Sequence, residues 1–128
     1  MSWIGGIVPP DKRSMSSNVL SFHLAEELAR VHDPVLLGRN GRNARTLVKN
    51  GPLRVTLVML QGGGKIAPHR AAGPITVHVL DGEVQFNAAG QDHQLAAGDL
   101  LVLDAGVEHH LASENGGAFL LTVVLQPG

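Results

Sequence analysis

At 128 residues the chain is the size of one domain with one core. Its 44% apolar and 16% charged residues, with no stretch approaching the roughly 20 apolar residues of a bilayer span, exclude a membrane-spanning or wholly disordered class. Ten Lys+Arg against eleven Asp+Glu leave a net charge of −1, without the basic excess of a protein that tracks nucleic-acid phosphates, and the absence of cysteine removes disulfides, thiolate metal sites and cysteine nucleophiles.

Residues 1–18 combine Gly5-Gly6, Pro9-Pro10 and a Ser-rich run without a sustained period and read as an arm. The opening Met1-Ser2-Trp3-Ile4 lacks the charged-then-apolar build of a secretory signal, so a cytoplasmic address is expected. Trp3, Ile4, Ile7 and Val8 would leave apolar surface wet unless they dock, and a homodimer is expected on that ground. Residues 19–34 predict one short helix: Leu24, Leu28 and Val31 recur at helical spacing, Ala25 and Ala29 suit it, and Asp33-Pro34 stops it. His23 and His32 fall on its surface, and Arg39, Arg42, Arg45 and Lys49 read as a solvated edge.

Residues 35–128 change pattern. Residues 45–49 and 53–60 flank Asn50-Gly51-Pro52 and predict two strands joined by a turn; Arg54 and Thr56 fall on one face and Val55, Leu57 and Met59 on the other. Further strands are predicted over 75–80, 83–87, 93–95, 100–103, 107–111 and 119–125, separated by Gly-bearing turns. Short strands at this spacing make the fold all-β, a β-barrel or jelly roll preceded by one short N-terminal α-helix. Gly62-Gly63-Gly64 before Lys65 lacks the rest of a phosphate loop, and no serine stands in a nucleophile elbow.

Two stretches carry the functional signal: Gly63-x5-His69 with Ala71, Ile75 and Gly82 following, and Gly98-x5-Asp104-Ala105-Gly106-x2-His109 with Ser113 beyond. In their glycine frame, and in the short segment of residues 83–97 between them, they resemble the cupin superfamily, whose motifs run G-x5-H-x-H-x3,4-E-x6-G and G-x5-P-x-G-x2-H-x3-N. Residues 68–82 and 98–109 resemble small single-domain bacterial cupins in particular. The resemblance implies a double-stranded β-helix of the jelly-roll kind and a divalent metal, zinc, nickel, iron or manganese, held by three histidines and a glutamate. It places His69 and His109 at two of those four positions, but Ala71 and Ile75 stand at the others and donate nothing.

Candidate third ligands are His78 and His93. If Ile75 points inward, alternation sends Val77 and Val79 inward and His78 outward unless a bulge resets the register, while His93 lies beside a turn. His110 must face away from His109, and Asp104, at the motif's proline position, reads as a turn cap. The expected pocket is lined by Val55, Leu57, Met59, His69, Val77, Val79 and His109. Its expected partner is a small molecule, with neither nucleic acid nor membrane. Three functions follow: a small-molecule-binding cupin with weak metal or none, a metal-dependent dioxygenase, isomerase or decarboxylase, and a dimerising sensor module.

Overall fold

A computed structural model describes residues 18–126, so the arm with Trp3, Ile4, Ile7 and Val8 lies outside the described residues. The chain enters through α1 (Leu24–Val31) and α2 (Pro34–Asn40) and continues through β1 (Arg42–Asn50), β2 (Leu53–Leu60), β3 (Gly64–His69), β4 (Ile75–Ala88), β5 (Gln91–Ala96), β6 (Leu100–Leu103), β7 (His109–Ser113) and β8 (Gly117–Val124). None of the described helices is long and apolar enough to cross a membrane.

Asp33-Pro34, read as a stop, ends α1 and also starts a second helix that was not expected. The Asp33 carboxylate accepts from the backbone N–H of Val35 and Leu36 at 3.0 and 3.1 Å, Pro34 occupies the first turn where no N–H is needed, and Gly41 ends the helix at φ 75°.

All strand pairings are antiparallel. The first half of β4 pairs with β8 and β6, and its second half with β7 and β5, so one long strand belongs to both walls of the jelly roll. One wall is β1-β2-β8-β4-β6 and the other is β3-β7-β4-β5. The predicted turn at Asp81-Gly82 is the bend that carries β4 between them: the register with β8 shifts between Val79 and Asp81, and Gly82 adopts φ 66°. A Cβ on Gly82 would collide with the Gly116 carbonyl oxygen, so glycine is required here both for backbone conformation and for space.

The core between the walls includes Val58 and Leu60 of β2, Val77, Val79, Val84 and Phe86 of β4, Leu111 of β7, and Phe119 and Leu121 of β8. Cross-strand partners share a face, so β2 sends Arg54, Thr56, Val58 and Leu60 inward alongside Val123, Leu121, Phe119 and Gly117. Its other face turns to α1. Asn43, opposite Met59, donates to the carbonyl of Val31 at 3.0 Å, and Arg45, opposite Leu57, reaches Glu27. Glu27 is buried and receives Arg30 Nη1 at 2.7 Å; Arg45 Nε stands 2.9 Å from its second oxygen, in ion-pair contact without hydrogen-bond alignment. Arg45 therefore anchors the helix rather than lying on a solvated edge.

Replacing Gly82 by Ala is expected to lower stability by about 1–3 kcal/mol, since it combines a left-handed backbone with a backbone collision. Urea denaturation of wild type and Gly82→Ala measures this.

Candidate functional site

The end of the barrel that holds Ile75 also gathers the C-terminal end of β3 and the start of β7. His69 and His109 are direct cross-strand partners there. Regular alternation from the inward Ile66 would send His69 outward. Pairing instead shifts between Ile66 and His69, across Ala67-Pro68, and the extra residue turns His69 to the same side as His109. Pro68, which cannot donate to a ladder, sits where the ladder is interrupted. This strand was not predicted, because the glycines before it read as a loop.

The two rings meet edge to face with centroids 4.2 Å apart, and Phe86 stacks on His109 at 5.4 Å with 12° between planes. His109 is fully buried and His69 half-buried. His69 Nδ1 lies 2.8 Å from the carbonyl oxygen of Ala67, and His109 Nδ1 lies 2.9 Å from that of Val107. A carbonyl oxygen only accepts, so each Nδ1 carries a proton and donates it, and the other ring nitrogen, Nε2, is buried in both residues. The repeat of one contact, a histidine bonded to the carbonyl two residues earlier, gives both side chains the same tautomer.

Burial holds the His109 imidazole below its ordinary value of 6.5, aided by the neighbouring His69 and His110 and opposed by the bond to Val107. Outside the ring pair, the segments are cross-tied. Arg70 donates to the carbonyl of Gly106 at 2.7 Å and pairs with Glu108 at 3.3 Å, and Gly106 N–H donates to the carbonyl of Ala71 at 3.1 Å.

Ala71 and Ile75 are buried in the core. His78 pairs with Leu100 and Leu120 on the outward face of β4. His93 is half-buried opposite Phe86, on the inward side of β5, rather than merely beside a turn. Neither joins the imidazole pair, and no group of three or more His, Asp or Glu among the described residues is arranged to hold a metal ion. Asp104 accepts from its neighbour Ala105 N–H at 2.8 Å, as a turn residue does, and His110 is exposed. Of the expected apolar lining, Val77 and Val79 lie inside, whereas Val55, Leu57 and Met59 occupy the opposite face of β2. Val58 and Leu60 take the interior instead. A strand apolar on both faces hides its parity from sequence inspection.

Two walls of antiparallel strands sharing a bent central strand, with paired histidines at one end, define a small jelly-roll barrel of the cupin kind. The family model described as Cupin domain matches residues 56–125, and the chain belongs to that family. No curated protein matches it. Among solved structures, a conserved protein of unknown function from Streptococcus pyogenes is 28% identical, with a TM-score of 0.65 over 70% of this chain and 79% of that one. An RmlC-like cupin from Shewanella frigidimarina is 23% identical, with a TM-score of 0.65 over 68% of this chain and 78% of that one. Salicylate 1,2-dioxygenase from Pseudoaminobacter salicylatoxidans is 18% identical, with a TM-score of 0.72 over 80% of this chain and 32% of that one. The last two likenesses establish the fold alone.

The lowered His109 value fixes the sign of a pH effect. The folded protein resists protonation at this ring and the unfolded chain does not, so as pH falls below about 6.5 the unfolded state takes up the proton first. The contribution is complete above that pH and is lost as pH descends through the lower folded-state value. Urea midpoints are expected to fall across this window, and to fall less in His109→Gln.

Proposed function

We propose that this chain is a small-molecule-binding cupin whose ligand site is the histidine-bearing mouth of the barrel. The observation that carries the reading is the meeting of two imidazoles, 40 residues apart in sequence, at one place in the fold, each oriented by the bond of its Nδ1 to a backbone carbonyl. Phe86 stacks on His109, and Ile75 and Val77 belong to the same apolar core, a common composition for a site that binds small ligands through a few convergent polar groups.

The family implies a divalent metal. Two neutral imidazoles suit zinc, nickel, iron or manganese at two positions, but Ala71 and Ile75 supply no donor and the candidates His78 and His93 stand elsewhere. The residues present therefore do not fit a resident metal with three or four protein ligands. The reading as a metal-dependent dioxygenase, isomerase or decarboxylase would need its missing donors from solvent or substrate. The ligand-binding reading needs none.

Nitrogen-detected imidazole NMR is expected to show the Nδ1–H tautomer for both rings at about pH 7.5, and zinc is expected to bind weakly through Nε2. His69→Ala and His109→Ala should each weaken zinc by about tenfold or more, and wild-type affinity should be lower at about pH 5.5 than at about pH 7.5, either side of the free imidazole value of about 6.5. Unchanged affinity in both variants would remove the histidine pair from the site.

The same reading takes the protein as a homodimer. Leu100 and Val102, 61% and 67% exposed on β6, support it, because this strand pairs with β4 alone among the described residues and offers a second chain an apolar edge. Analytical ultracentrifugation at micromolar concentration is expected to give a dimer, and a single monomeric species would overturn it.

A further inference from the structure

The two histidines take their orienting carbonyls from unequal surroundings. Ala67, which serves His69, lies within β3, whereas Val107, which serves His109, lies ahead of β7 in a segment that belongs to no strand. Gly106, directly before it, adopts φ 76°, and a glycine at such a position leaves the peptide units that follow free to rotate unless other groups hold them. A carbonyl on this segment orients a ring only as firmly as it is itself fixed.

Both flanks of Val107 are held. On its N-terminal side, the Gly106 N–H donates to the carbonyl of Ala71 at 3.1 Å, and the Gly106 carbonyl accepts from Arg70 Nη1 at 2.7 Å. On its C-terminal side, the Glu108 carbonyl accepts from the Ala89 N–H at 3.0 Å, and the Glu108 carboxylate accepts from Arg70 Nη2 at 3.3 Å. Peptide units are planar, so pinning the units on either side restricts the one between them, and that middle unit carries the Val107 carbonyl. One guanidinium thus grips both flanks, with one nitrogen on each. Arg70 follows His69 and Glu108 precedes His109, so the grip extends the cross-strand partnership of the two histidines by one rung.

We infer that Arg70 is a positioning residue of the histidine site, acting on His109 through the Val107 carbonyl. The inference rests on the ligand-site reading above and deepens it: the side chain that follows one histidine sets the ring of the other, so a shift at the end of β3 is transmitted to β7. A planar guanidinium reaches two acceptors at once, whereas an ammonium is a point charge on a flexible stem and holds one of them well. The Arg70–Glu108 pair adds little to global stability, since the two side chains are 62% and 57% exposed and their charges are screened by water and salt. Its effect is confined to the segment it spans.

Imidazole NMR of the full chain, following the exchange of each Nδ1–H with water, tests the assignment. In Arg70→Gln the His109 Nδ1–H is expected to exchange about tenfold faster than in wild type, while that of His69, whose carbonyl Arg70 does not hold, keeps its rate. Glu108→Gln, which removes the charge and leaves the bond to Gly106, should accelerate His109 by about threefold. Arg70→Lys, which keeps the charge and one donor, should fall between wild type and Arg70→Gln. Urea midpoints of these variants are expected to match wild type; should Arg70→Gln not fold, Glu108→Gln decides by the same readout. Unaltered His109 exchange in folded Arg70→Gln, or equal acceleration of both rings, would overturn the inference. Zinc titration of His69→Ala and His109→Ala reports separately on the site. Loss of zinc there beside unaltered His109 exchange in Arg70→Gln would keep the site and remove Arg70 from it, whereas unaltered zinc in both would remove the site reading and, with it, the role assigned to Arg70.

Discussion

The molecule depends on one strand serving two walls. Because β4 pairs with β8 and β6 before Gly82 and with β7 and β5 after it, the two faces of the barrel are joined covalently through the middle of a strand, and the inward residues of both halves meet the same core. Ile75 and Ala88, thirteen positions apart on that strand, consequently return to the same end of the fold, and Ala88 pairs with His109 there. The bend requires a backbone conformation and a closeness to Gly116 that only glycine provides, so the position of the histidine site follows from the residue at 82.

At the site, the physical theme is that short local bonds set the chemistry of side chains that converge from distant segments. Each imidazole is oriented by a carbonyl from its own segment two residues back, so neither requires a partner across the barrel to choose its tautomer. Burial then keeps His109 neutral, and the stacked Phe86 restricts its ring. What converges is a pair of imidazoles whose orientations are set by local bonds rather than by each other. The family frame is retained in its glycines and two of its histidines, while the two donor positions now filled by Ala71 and Ile75 have been given to the core.

The parts of this arrangement that were legible in the sequence are those encoded by local residue type. Glycines in fixed frames announced the barrel, alternation from Ile75 placed Val77 and Val79 inward and His78 outward, and the motif positions singled out His69 and His109. What escaped was set by neighbours distant in the chain. The inward aim of His69 comes from an interrupted ladder at Ala67-Pro68, and the second helix from Asp33 capping forward as well as ending the first helix. The buried Glu27 acquires its place only because Arg45 arrives from β1, and the inward face of β2 is chosen by a helix that covers the other side. Polarity misled there as well: Val55, Leu57 and Met59 are the lining that the sequence suggests, yet Arg54 and Thr56 lie on the face that carries Val58 and Leu60.

The two-sided burial of β2 bears on how the chain finds its register. A strand with one apolar face resists slipping, because a shift of one residue would turn that face to water. Between Leu57 and Leu60 every residue of β2 is apolar, so a slipped pairing would lose little by that criterion. Its alignment with β1 must be dictated by other features: the tight Asn50-Gly51-Pro52 reversal, the irregularity between Thr46 and Val48, and the salt link from Arg45 to the helix. The hairpin is thus indexed from its ends, like a zipper set by its pin, and the fidelity of the whole barrel is vested in a turn and an ion pair that lie outside its core.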